Sequence, residues 1–170
     1  MRETGPPRLD AAHPENRGVL AYLGRGERAK VSLVALPSSV PDPTTGCGCH
    51  PDVVQRLWDE LGSGLPRAAR VLVHGTPALV CPRVGVVVAV GLGTSYALRL
   101  PQGAARDPAA SALERVHHYR TAGVTLDLGQ WGPSWRFGAY ASAEPAWVVE
   151  AAGELEPSRA RARPPGDGPN

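Results

Sequence analysis

The run at 84–92, VGVVVAVGL, constrains the fold more than any other stretch. Its side chains are apolar on both alternating faces. As a strand it must therefore be covered from both sides, which places it in the interior of a sheet. Its nine residues are about half of what a helix needs to span a membrane, and Pro82 and Arg83 precede it. RVLVHG (70–75) and ALVC (78–81) come before it and SYALRL (95–100) after it, across short links. With GVVVAV (85–90) they read as a four-strand meander. In the last strand Tyr96, Leu98 and Leu100 point one way, and Ser95, Ala97 and Arg99 the other. The link GLGTS (91–95) starts like a phosphate-cradling loop. However, strand-like YALRL follows it rather than a helix, and no Lys-Ser/Thr pair is present, so it reads as a hairpin turn.

Around this meander the pattern is mixed. GVLAYL (18–23) and KVSLVAL (30–36) read as two strands joined through GRGER. Residues 37–49 form a loop rich in Pro, Gly, Ser and Thr, and loops of that length are often functional. His50, Pro51 and Asp52 then open a helix, with Pro and an acid in its first turn. Val54, Leu57, Trp58 and Leu61 make its apolar stripe, Gly62 stops it, and Arg56, Asp59 and Glu60 fall on the solvated side. A second helix is expected from Asp107–Pro108, with Ala109, Leu113, Val116 and Arg120 along one face. GVTLDL (123–128) and SWRFGAY (134–140) read as a hairpin across GQWGP, and Ser142 as the cap of a last helix, with Trp147, Val148 and Ala151 inward. The expected fold is α+β: a mostly antiparallel sheet, built of meander plus hairpins, covered by two or three short helices. Residues 17–153 form the domain, and the polar, Pro-containing stretches 1–16 and 154–170 are expected to be disordered tails.

Composition narrows the function classes. The net charge is +2, too near zero to argue for a nucleic-acid or membrane partner by field alone. Lys30 is the one lysine among 18 basic residues. Arginine suits phosphate and carboxylate contacts, but the excess also fits a GC-rich genome, and the arginines do not cluster inside the expected domain. RARAR, within 159–163, is balanced by Glu154, Glu156 and Asp167. Three cysteines are an awkward number for a secreted disulfide framework, and the first residues hold no apolar signal-like stretch. A soluble cytoplasmic protein is the expectation.

Reactive constellations are sparse. Cys47, Cys49 and His50 could be three ligands of a zinc site, with Cys81, His74, His117 or His118 as a fourth. Yet C-x-C followed by His is not the spacing of a zinc finger or ribbon. Gly46 and Gly48 more simply let the chain turn into the helix, with the small thiols packed beneath it. Thiol redox chemistry near the helix start is the other use of Cys47 and Cys49. A cysteine nucleophile would pair Cys81 with His74, His117 or His118, but no nucleophile elbow is present. Paired carboxylates are also lacking. His117 and His118 diverge as neighbours on a helix.

The tryptophans are the stronger signal. Trp131, Trp135 and Trp147 lie close in sequence, Trp135 and Phe137 share one strand face with Arg136 opposite, and Trp131 sits in a turn where a large ring is often exposed. Trp and Arg are favoured at binding hot spots. Packing of the last hairpin on the last helix explains Trp135, Phe137 and Trp147 equally well, which leaves Trp131 as the best exposed candidate. The sequence therefore favours a non-catalytic domain that binds a protein partner or self-associates, without cofactor, through Trp131, Trp135 and Arg136, in the 129–135 turn or the 37–49 loop. A zinc or thiol-redox protein built on Cys47, Cys49, His50 and Cys81 is the alternative, and a small enzyme the third reading.

Overall fold

The structure is a computed structural model that describes residues 9–25, 34–35, 51–93, 95–111, 113–119, 124–138 and 144–156. Four short α-helices are present among them: α1 (Arg17–Leu23), α2 (Pro51–Gln55), α3 (Pro108–Ser111) and α4 (Pro145–Leu155). The strands are β1 (Val34–Ala35), β2 (Arg70–Val73), β3 (Thr76–Cys81), β4 (Val86–Leu92), β5 (Ser95–Arg99), β6 (Val116–Tyr119), β7 (Val124–Asp127) and β8 (Trp135–Gly138). A six-stranded antiparallel sheet runs in the order β1-β2-β3-β4-β5-β8, and β6 pairs with β7 as a separate two-stranded sheet. The α+β class and the meander from β2 to β5 match the sequence reading.

All seven residues of β4 are buried, as its two apolar faces require. One face of the sheet packs Val71, Val73, Val80, Val87 and Ala97 against Val19 and Leu23 of α1 and against Leu128 and Trp131. The other packs Leu79, Val88, Ala89, Tyr96 and Leu98 against Leu57 and Leu61, and against Trp147 and Val148 of α4. The register of β3 with β4 shifts between Leu79 and Val80. Val88 and Ala89, adjacent in sequence, consequently belong to the same core, as a bulge allows where strict alternation would not.

Tight turns fix the meander. Val73 pairs with Thr76, so His74 and Gly75 alone make the turn, with φ values of 48° and 77°. Two consecutive positive φ angles belong to the two-residue hairpins that match strand twist. After α2 the chain continues as a π-turn over Arg56–Leu61, closed by Gly62 N–H donating to the Leu57 carbonyl at 2.9 Å. A Cβ at Gly62 would lie 2.7 Å from the Trp58 carbonyl oxygen and 2.9 Å from Leu79, which explains glycine at that stop.

Four expectations are corrected. GVLAYL is helical, not a strand: its buried residues Val19 and Leu23 are four apart, and a short apolar run fits either period. Of KVSLVAL, only Val34–Ala35 is described, paired to β2 rather than to a preceding strand. The second helix ends at Ser111, and Val116–Tyr119, rich in β-formers, pairs instead with β7. SWRFGAY does not form a hairpin with GVTLDL; its strand β8 pairs with β5, Trp135 opposite Arg99. The two sheets meet where Phe137 N–H donates to the Glu114 carbonyl at 2.7 Å. The last helix forms as expected, with Trp147, Val148 and Ala151 buried, but Glu144 stands at its cap and Ser142 lies outside the described residues.

Residues 9–16 are also part of the fold, within the 1–16 stretch whose sequence reads as a tail. β5 pairs with β4 only from Ala89 to Leu92. Beyond that point the side chain of Asn16, 0% exposed, takes over. Its Nδ2 donates to the carbonyls of Gly85 at 2.8 Å and Asp10 at 2.7 Å, and its Oδ1 accepts from Val87 N–H at 2.8 Å. The amide thus completes the edge of β4 that β5 does not reach. Asn16→Ala leaves a buried N–H and a carbonyl without partners, so it should cost about 2–4 kcal/mol in urea unfolding. Asn16→Asp, which accepts but cannot donate, should be no better, and a cost near zero for either would show that Asn16 is not the clamp.

Candidate functional site

A candidate site lies between α1 and the turn after β7. Asp127 Oδ1 accepts from Gly129 N–H at 2.8 Å and starts a single 3-10 turn, Leu128–Gln130. Trp131 N–H closes that turn on the Leu128 carbonyl at 3.0 Å. Helix α1 lies directly on it, and Gly18 is what permits the approach: a Cβ there would fall 2.3 Å from the Gln130 carbonyl oxygen and 2.7 Å from the Trp131 Cα. Between helix and turn an open cleft of about 610 Å³ is lined by Arg17, Tyr22, Arg25, Asp127, Trp131 and Gly132, among others.

Its floor is aromatic. The Trp131 ring lies 5.4 Å from that of Tyr22 at 46° and meets Trp135 edge-on at 5.1 Å and 79°. The Arg25 guanidinium sits 5.6 Å from the Tyr22 ring centroid, and Arg99 lies 5.2 Å from that of Trp135. Cation, rings and cation thus form one ladder from the cleft into the core, with geometry that favours each contact. Arg99 is 6% exposed. Burial pulls its pKa down from the ordinary guanidinium value, and the nearby carboxylate of Glu15, bound at 2.9 Å, pushes it back up; the group stays charged. Arg17 and Arg25, at the mouth, pair with no carboxylate among the described residues.

The structure brings the rings of Trp131 and Trp135 into contact. It corrects the exposure of Trp131, which is 5%, because α1 covers the turn. Arg136, on the opposite face of β8, borders a second, smaller cleft of about 290 Å³ with Gln102, Pro133 and Ser134. Tyr22, Arg17 and Arg25 are missing from the sequence reading because 18–23 was taken for a strand. The sequence carries a signal for this: His13, Pro14 and Glu15 open a helical segment, and Pro51 and Asp52 likewise stand at the start of α2.

Cys47, Cys49 and His50 lie outside the described residues, as does the 37–49 loop. Cys81, their proposed fourth partner, is 1% exposed, and its Sγ lies 3.6 Å from the Ala152 carbonyl, tying β3 to α4. His74 is at the other end of β3, so a strand's length separates it from Cys81. No family model matches the chain, and neither a curated protein nor a solved structure matches it.

Two outcomes are expected. Gly18→Ala should wedge α1 off the turn, costing about 2–3 kcal/mol by the scale of overpacked contacts, with a red-shifted tryptophan emission as Trp131 meets water. Burial pushes the Cys81 thiol pKa up, so the stability it contributes is present below the ordinary thiol pKa and is lost as pH rises through the raised value. Cys81 should resist iodoacetamide at pH 8 in the native protein and react in denaturant, as read by peptide mass mapping; native labelling would contradict its place in the core.

Proposed function

We propose that the chain is a non-catalytic binding domain, and that the cleft between α1 and the 128–132 turn receives an acidic segment of a protein partner. The observation that carries this reading is the pair of cations at the mouth of an aromatic-floored cleft. Arg17 and Arg25 are exposed and engage no carboxylate among the described residues, whereas Tyr22 and Trp131 offer apolar surface behind them. Tyr, Trp and Arg are the residues on which interface energy concentrates, and the volume is in the range of a pocket that holds a few side chains. Glu or Asp beside an aromatic residue is the partner chemistry that satisfies both parts. The odd cysteine count fits a reducing compartment, so the cytoplasm is the proposed setting. Among the described residues no helix is long and apolar enough to cross a membrane.

Trp131→Ala is a poor test, because the ring is core as well as cleft. Arg17→Glu with Arg25→Glu changes exposed charge and, at Arg25, removes a surface contact with the Tyr22 ring worth about 0.5–1 kcal/mol. The double variant should melt close to the parent yet lose the proteins that co-purify with the parent from its native host, and the parent's own complexes should weaken at high salt. An unchanged set of partners in the double variant would overturn the reading.

A further inference from the structure

The second cleft holds a guanidinium that its surroundings fix but do not neutralise. Arg136 Nη1 donates to two backbone carbonyls, Pro133 and Trp135, each at 2.7 Å. Those bonds use one corner of the guanidinium and lock the plane. Nη2 and Nε make no hydrogen bond among the described residues, and they form the edge that grips an oxyanion through two parallel bonds. Arg115 is drawn to the same place, its Nη2 donating to the Pro133 carbonyl at 3.4 Å. Two like charges thereby share one acceptor, and no ion pair joins either to a carboxylate among the described residues. Burial, and then Arg115, lower the Arg136 pKa, which is the cost that a bound anion would offset.

The surroundings are shaped for a small molecule. The cleft of about 290 Å³ is walled by Leu100, Pro101, Ala110 and Pro133, with Gln102 and Ser134 as polar lining. Leu100 N–H donates to the Ser134 carbonyl at 2.9 Å and holds the two walls together. Gln102 N–H donates to the neighbouring Glu154 carboxylate at 2.9 Å, which fixes that acid in place but leaves it charged. Arg136 lines the cleft, and Arg115, outside its lining, adds positive field from across the Pro133 carbonyl; together they favour a dianion over a monoanion by Coulomb attraction, and the volume exceeds that of one phosphate group.

We propose that this cleft binds a small phosphate-bearing molecule, its phosphate on the free edge of Arg136 with Arg115 as the second charge. This site is separate from the α1 cleft and does not rest on it. The test is thermal melting and calorimetry of the full chain with inorganic phosphate, and with glycerol phosphate, against chloride at matched ionic strength. Both phosphates should raise the melting temperature and bind one to one, because a ligand of the native state stabilises it by mass action. Arg136→Gln should abolish the effect and Arg115→Gln weaken it about tenfold. Arg136→Lys keeps the charge and loses the fork, so it should weaken binding even where Arg136→Gln folds poorly. The Arg17→Glu, Arg25→Glu variant should bind phosphate like the parent, which separates this proposal from the partner cleft. No phosphate-specific stabilisation of the parent, or equal stabilisation of the folded Arg136 variants, would overturn it.

Discussion

Covering β4 on both faces is the requirement from which the rest of the architecture follows. A strand with Val, Val, Val, Ala, Val in succession cannot lie at a surface, so two layers must be recruited to it. On one side the π-turned helix and α4 supply Leu57, Leu61, Trp147 and Val148. On the other side α1 and the turn after β7 supply Val19, Leu23, Leu128 and Trp131, next to Leu126 of β7. The α1 cleft exists because those two small pieces share the task of covering one face, and a gap is left between them.

That arrangement also explains the buried polar groups. The segment before α1 must cross the end of the sheet to set the helix in place, and it crosses where β5 no longer accompanies β4. Asn16 satisfies the exposed rung of β4, and Glu15 offsets the charge of Arg99. Arg99 in turn lies on Trp135, which supports Trp131, which meets Tyr22. Structural and site residues are therefore one contiguous set, and the cleft floor is as rigid as the core it belongs to.

The meander was legible because its signals agree: apolar runs of strand length, turns of Gly and His-Gly, and a doubly apolar centre. The helix at Pro51 was legible for the same reason, since Pro, acid, stripe and Gly coincide. GVLAYL was not, because six apolar residues satisfy both periods and the deciding cue, His13–Pro14–Glu15, lies in a stretch that reads as tail. β8 was misassigned because its partner β5 lies far away in sequence, and local pattern favours the nearest strand. Trp131 and Trp135 were found from residue type alone, but their role as a buried floor required knowing that α1 lies above them. Arg136 stands out in the sequence as the charge opposite Trp135 and Phe137, whereas Arg115 lies in a stretch whose pattern reads as helix.

The outer margin of β8 carries one more implication. Its outward groups are already engaged: Trp135 N–H with the Gly132 carbonyl, Phe137 N–H with the Glu114 carbonyl, and the Trp135 carbonyl with Arg136. A free margin of this kind is where a second chain would add itself by backbone pairing. With those three rungs filled from within, backbone pairing of a second chain along Trp135–Phe137 is opposed, which favours recognition through side chains on that flank.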